Sequence, residues 1–166
     1  MQKTLFTMAL LFLASCGFHP VYGVNKYTAV GVEEKLAQTQ IGSIPDREGQ
    51  YLRNALIDRF YRSGRPANPR YSLTISEITE SLRGLDVTID SDTTRGQLAL
   101  FTSIQLIDKS TNEKLIERNL KSIASYNIIA SEFANRVSEQ NSRENALNDL
   151  ARQIEEQLAL YFKRQP

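Results

Sequence analysis

The chain has 166 residues, with 20 Lys plus Arg against 19 Asp plus Glu, one His and one Cys. A charge so near balance argues against a nucleic-acid binder that works through a broad positive field. A single cysteine excludes an internal disulfide, so a chain of this length, suited to one domain, has to stand on its apolar core alone.

The first fifteen residues read as a leader. Lys3 gives a positive start, residues 5–13 are apolar apart from Thr7, and Leu13-Ala14-Ser15 leads into Cys16. The apolar run is too short to span a bilayer as a folded helix, as in a secretory signal. Small Ala14 and Ser15 open the bond before Cys16 to a protease, and the thiol of Cys16 is the one side chain here that forms a thioether. The pattern is a lipobox. It predicts removal of residues 1–15, with S-diacylglycerol and N-acyl chains on Cys16, which together exceed what stable anchoring needs. Loss of Lys3 then leaves a neutral chain. Gly17, rather than an Asp, follows the cysteine, which favours the outer over the inner membrane.

Residues 16–35 are expected to be a lipidated tether punctuated by Pro20, Gly23 and Gly31, and residues 36–166 a single domain. Residues 36–44 alternate as a first strand, closed by Pro45. Asp46 is positioned to cap a helix running to about Arg62, with Leu52, Ala55, Leu56 and Phe60 on one face. Ser63-Gly64 stops it, and Pro66 and Pro69 prevent its return.

Tyr71, Leu73 and Ile75 then alternate with polar residues. The phase slips at Glu77-Ile78 and resumes at Leu85, Val87 and Ile89, which predicts a bulge or two short strands. Leu98, Leu100, Ile104 and Leu106 share a face of the next strand, residues 108–114 form a hairpin loop, and Ile116, Leu120, Ala124 and Tyr126 lie in phase on its partner. A last helix carries the stripe Leu147, Leu150, Ala151, Ile154, Leu158 and Tyr161. It starts at an Asn141–Glu144 capping box or, if residues 130–140 join it, earlier. The order of elements implies an α+β fold: a two-layer sandwich of about four mostly antiparallel strands covered on one face by two helices.

Little in the chain points to catalysis. His19 is the sole histidine and lies beside the anchor, so a His-dependent nucleophile site or a His/Cys zinc site is excluded from the domain. Asp90 and Asp92 fit solvated turn acids better than a cation site. Gly42, Gly49 and Gly64 do not make a nucleotide fingerprint. No catalytic residue, metal or cofactor is expected. Arg59, Arg62, Arg65 and Arg70 gather around the loop after the first helix, where the plainer reading is ordinary helix-terminal and loop charge. Lys109, Lys114, Arg118 and Lys121 read as solvated hairpin charges.

The octapeptide Cys16-Gly17-Phe18-His19-Pro20-Val21-Tyr22-Gly23 resembles the opening of LPS-assembly lipoproteins (LptE) of the alphaproteobacterial type. Ser125-Tyr126-Asn127 and the terminal Tyr161-Phe162 fit the same pattern. The resemblance implies a non-enzymatic outer-membrane lipoprotein on the periplasmic face. It would act as plug and assembly partner inside a β-barrel translocon, as a 1:1 heterodimer, and help deliver lipopolysaccharide (LPS) to the surface. Cys16 carries over as the acylation site, and Arg62, Arg65 and Arg70 are candidate LPS contacts. A different outer-membrane accessory lipoprotein, one regulating cell-wall synthesis or assisting a transporter, is the competing expectation.

Overall fold

The structure, a computed structural model, describes residues 30–62, 64–85 and 95–164. The octapeptide that begins at Cys16, Val87, Ile89, Asp90 and Asp92 lie outside the described residues. Along the chain run α1 (Val30–Ala37), β1 (Thr39–Ile41), α2 (Asp46–Phe60), β2 (Tyr71–Ile75), β3 (Thr79–Gly84), β4 (Arg95–Asp108), β5 (Glu113–Asn127) and α3 (Glu132–Arg164). The fold is the expected α+β sandwich, with a mixed sheet of five strands and three helices among the described residues.

β4 is the spine of the sheet. One side pairs antiparallel with β5 along its whole length; the other pairs with β2 near Asp108 and with β3 near Arg95. β1 extends the sheet by pairing parallel with β2. The expected phase slip proves to be an offset in register: Ile75 faces Ile104, whereas Thr79 faces Phe101, so the β2–β3 side carries one extra residue. Ser76 and Thr102 hold this bulge. Thr102 Oγ1 donates to Ser76 O (3.0 Å) and Ser103 N to Ser76 Oγ (2.9 Å), so side chains take up part of the bonding that the interrupted ladder gives up.

The alternation read from sequence marks the inner face. Leu98, Leu100, Ile104 and Leu106 of β4 are fully buried, with Ile116 and Leu120 of β5 beside them. Over this face α3 lies across β5 and β4, while α2 packs along α3 and over β1. Leu52, Leu56 and Phe60 of α2 and Leu147, Leu150, Ile154, Leu158 and Phe162 of α3 fill the space between the layers. The outer face is open, with Phe101 and Ile123 half-exposed.

Three local expectations are corrected. Residues 36–44 are not a continuous strand: α1 takes Leu36 and Ala37, and β1 is three residues long. Leu36 is buried and Lys35 Nζ meets Phe162 O at 3.5 Å, so packing on the end of α3 overrides the local alternation. Asp46 does not cap α2. The N-cap is Pro45, and Asp46 is the first helical residue, with the left-handed φ of 63°. Nor does Asn141 start the last helix, which runs 33 residues from Glu132. Ser131 stands at its start, and both amide atoms of the Asn135 side chain hold Ile129 (2.9 and 2.7 Å), closing the preceding loop onto the first turn. Residues 132–140 thus extend this helix, one of the two courses left open by the sequence.

Candidate functional site

The polar core is quiet. Thr39, Thr102, Asp108, Ser122 and Ser142 are buried, and no buried side-chain polar atom among the described residues lacks a partner. No group of His, Cys, Asp and Glu among them is placed to hold a metal ion. No described helix is long and apolar enough to cross a membrane.

Positive charge gathers at the end of the sandwich where β1, the α2–β2 loop and the β4–β5 turn meet. Parallel pairing of β1 with β2 creates this end. It brings Gln40 beside Ser72, and Tyr61 then ties the α2 exit to β1 by donating to Thr39 O (2.7 Å) and accepting from Ile41 N (3.3 Å). The turn after β4 is fixed by Asp108. Its Oδ1 accepts from Ser110 N at 2.8 Å and from Ser110 Oγ at 2.5 Å, and its Oδ2 accepts from Arg70 Nε at 3.1 Å. These donors, Ser110 first and Arg70 after it, hold the Asp108 carboxyl below the usual carboxylate range. Asn112, with φ 57°, completes the turn.

The three arginines singled out in the sequence are distributed over separate hollows. Arg62 lies 3.7 Å from Glu33 and borders the cleft between α1 and α2. Arg70 bridges to Asp108 and sits 5.3 Å over the Tyr71 ring, which makes it a brace for the turn. Arg65 projects into a third hollow with Arg53 and Lys109, closed by Gln40, Ile41, Tyr61 and Pro66, Ala67 and Pro69. Arg53 went unnoticed in the sequence because it reads as one exposed position of α2. Lys109 was grouped with the hairpin because its approach to Gln40 (3.2 Å) depends on the pairing of β1 with β2. The rest of the hairpin group scatters: Lys114 pairs with Glu117 (2.8 Å), Arg118 turns to Glu117 O, and Lys121 lies over Phe101.

At the opposite end of the sheet, Arg143 of α3 donates to both oxygens of Glu80 on β3 (2.7 and 2.8 Å) and to Glu139 (2.7 Å). The bonds to Glu80 are the main reason its guanidinium is held protonated well above the ordinary arginine range. The ring of Tyr126 covers Gly96, its cross-strand partner, and burial followed by the Glu139 charge pushes its phenol up. Within Ser125-Tyr126-Asn127, Tyr126 therefore has a packing role, while Ser125 and Asn127 are exposed. Phe162 does as well: it is buried, its ring centroid 4.9 Å from that of Tyr71.

Solved structures share this arrangement. A protein of Caulobacter crescentus CB15 superposes with a TM-score of 0.62 at 20% identity, covering 81% of this chain and 98% of its own. A minor lipoprotein of Acinetobacter baumannii gives 0.60 at 22%, covering 75% and 92%. The rare lipoprotein B of Shewanella oneidensis gives 0.59 at 9%, covering 74% and 93%. At these identities the likeness speaks for the fold. Among curated proteins none matches the chain. The family model described as LptE, lipopolysaccharide-assembly, matches residues 36–161, nearly the whole of the described sandwich. The chain belongs to the LptE lipopolysaccharide-assembly family, a family of non-catalytic assembly lipoproteins.

Proposed function

We propose that the protein is an outer-membrane lipoprotein, anchored at Cys16 after removal of residues 1–15 and tethered through the stretch between Cys16 and α1, which takes residues 30–35 out of the expected 16–35 tether, with its domain on the periplasmic face. The domain serves as plug and assembly partner of a β-barrel LPS translocon, one copy per barrel and seated in the lumen, and helps deliver LPS to the cell surface. Family membership over residues 36–161 carries this reading. The lipobox supports it independently, because a compact domain on a lipid tether is held at the membrane where such a barrel resides. A core in which every described buried polar side chain is satisfied suits a rigid insert more than a site of chemistry.

Arg62, Arg65 and Arg70 form, in this reading, part of a basic rim facing LPS. Purification of the tagged full-length protein from detergent extracts tests the partnership. Stoichiometric co-purification of a β-barrel of the LPS-assembly type is expected; capture of a cell-wall synthase or a transporter instead would favour the accessory-lipoprotein reading. Intact mass of the protein before and after Cys16→Ser tests the anchor, with loss of the acyl mass expected.

A further inference from the structure

Three strands of the sheet have a free side among the described residues: β1, β3 and β5. An open edge presents unpaired N–H and C=O groups, and proteins close it by shortness, charge, bulges or a covering segment. β1 is three residues long. β3 is six, and carries Glu80, held by Arg143, and Arg83. β5 is fifteen residues long and pairs only with β4.

The first half of β5 is closed. Glu113, Lys114, Glu117, Arg118 and Lys121 put charge along it, and Leu115 is an extra residue between the partners of Leu106 and Ile107, which makes a bulge. Its outward carbonyls are also taken. Arg118 Nη1 donates to Glu117 O at 2.8 Å, and Gln153 Nε2 of α3 donates to Lys121 O at 3.1 Å. In an antiparallel ladder the N–H and C=O of one residue point to the same side, and the side alternates along the strand. From Glu117 onward the odd-numbered residues therefore turn their peptide groups away from β4.

This protection stops at Lys121. Ser122-Ile123-Ala124-Ser125-Tyr126-Asn127 holds no charge, proline or bulge. The peptide groups of Ile123, Ser125 and Asn127 face out and meet no hydrogen-bond partner among the described residues. The helix above changes in step. Ser122 Oγ donates to Asp149 of α3 at 2.8 Å, and the stripe that carries Asp149 and Gln153 continues toward the helix start as Asn145, Ser142 and Ser138, all uncharged. Ile123 is half-exposed on the outer face. Six residues at about 3.3 Å each leave roughly 20 Å of edge open, the template that an incoming strand extends.

A second copy could pair there edge to edge. So short a strand contact falls well below the roughly 1,200 Å² that stable interfaces bury, so it does not hold two folded copies together. A segment of a protein already bound through other surfaces needs no such area, because it meets the edge at high effective concentration. We propose that residues 122–127 of β5 accept an extended, uncharged strand from the barrel partner, which adds to the sheet with an apolar side chain against Ile123. The proposal rests on the partnership proposed above and adds to it the surface that docks and the way it docks.

The test compares amide hydrogen exchange in the full-length protein, alone in detergent and in the complex purified with its barrel. Exchange at Ile123, Ser125 and Asn127 is expected to slow roughly tenfold or more in the complex, and at Asn119, in the charged half, to change little. Ser125→Pro removes an N–H that points away from β4, which edge strands tolerate, and should abolish the slowing at Ile123 and Asn127. Ile123→Lys, at an exposed position, acts through charge and serves if the proline variant does not fold. Asn119→Lys is the control, in which the slowing should persist. Equal exchange in free and bound protein, with the barrel still co-purifying, overturns the docking edge and leaves the partnership standing. A wild-type protein that brings down no barrel overturns both. Free protein that is a dimer by light scattering, and a monomer in Ile123→Lys, overturns the assignment in favour of a second copy.

Discussion

Arg143 offers the sharpest test of how the layers are joined. It reaches from α3 to Glu80 across 63 residues of chain, and its side chain is 15% exposed against 27% and 31% for Glu80 and Glu139. Arg143→Met keeps most of the aliphatic stem and removes three charge-assisted hydrogen bonds to two carboxylates, plus one to Gln140 Oε1 at 3.1 Å. Fully buried pairs broken from one side cost about 3–5 kcal/mol, and exposed pairs about 0.2–1. With partial solvent access to all three partners, an intermediate loss of about 2 kcal/mol follows. Arg136, paired with Glu132 at 3.6 Å and 82% exposed, is the internal control, for which Arg136→Met should cost less than about 0.5 kcal/mol. Urea unfolding gives both numbers, with an unchanged slope showing that the unfolded state is not altered. A cycle with Glu80→Gln should return a coupling of about 1 kcal/mol or more. A loss for Arg143→Met no larger than that for Arg136→Met, or a coupling near zero, would refute the view that this cluster clamps β3 to α3.

Three further outcomes follow from the geometry. In Gly96→Ala the new Cβ would run into the Tyr126 ring; a loss of about 1–3 kcal/mol is expected, shrinking when Tyr126 is first replaced by Leu, and a neutral result in the wild-type background would contradict the contact. Leu150→Ala, at a fully buried position between α3 and the sheet, should lower stability by about 2–5 kcal/mol in urea unfolding, near the low end if the layers can close the cavity. Asp108 has its carboxyl held below the usual value, so the folded state favours its ionised form. That contribution is present above the unfolded-state value of about 4 and is lost as pH falls through the lowered folded value. The stability difference between wild type and Asp108→Asn should therefore shrink as pH drops below about 4, and a difference independent of pH from 7 to 2 would show that the ionised carboxylate is not what the turn uses.

Much of the sandwich was legible because burial leaves a local signature. In β4 and β5 one face is packed and the other open, so Leu98, Leu100, Ile104 and Leu106 on β4 and Ile116 and Leu120 on β5 announce themselves by alternation with polar or exposed neighbours. The stripe on α3 does the same with a period near four. The slip at Glu77-Ile78 was readable as a break in the alternation that Tyr71, Leu73 and Ile75 begin. The helical state of Leu36 and Ala37 was not, because α1 packs on a helix more than a hundred residues away and nothing in its neighbours records that.

For the candidate site the division is similar. The sequence by itself determined the near balance of charge, the single His and the single Cys, and the Leu13-Ala14-Ser15-Cys16 pattern on which the proposed anchor rests, because these are properties of residue identity and adjacency. It also determined that arginines crowd the loop after α2. Only the tertiary structure decided what each does. Pairing of β2 with β4 turns Arg70 into a brace for Asp108, the packing of α1 beside α2 leaves Arg62 near Glu33, and the parallel β1–β2 pair brings Arg65 together with Arg53 and Lys109. Charges act through distance in space, and distances between remote segments are fixed by how the layers pack.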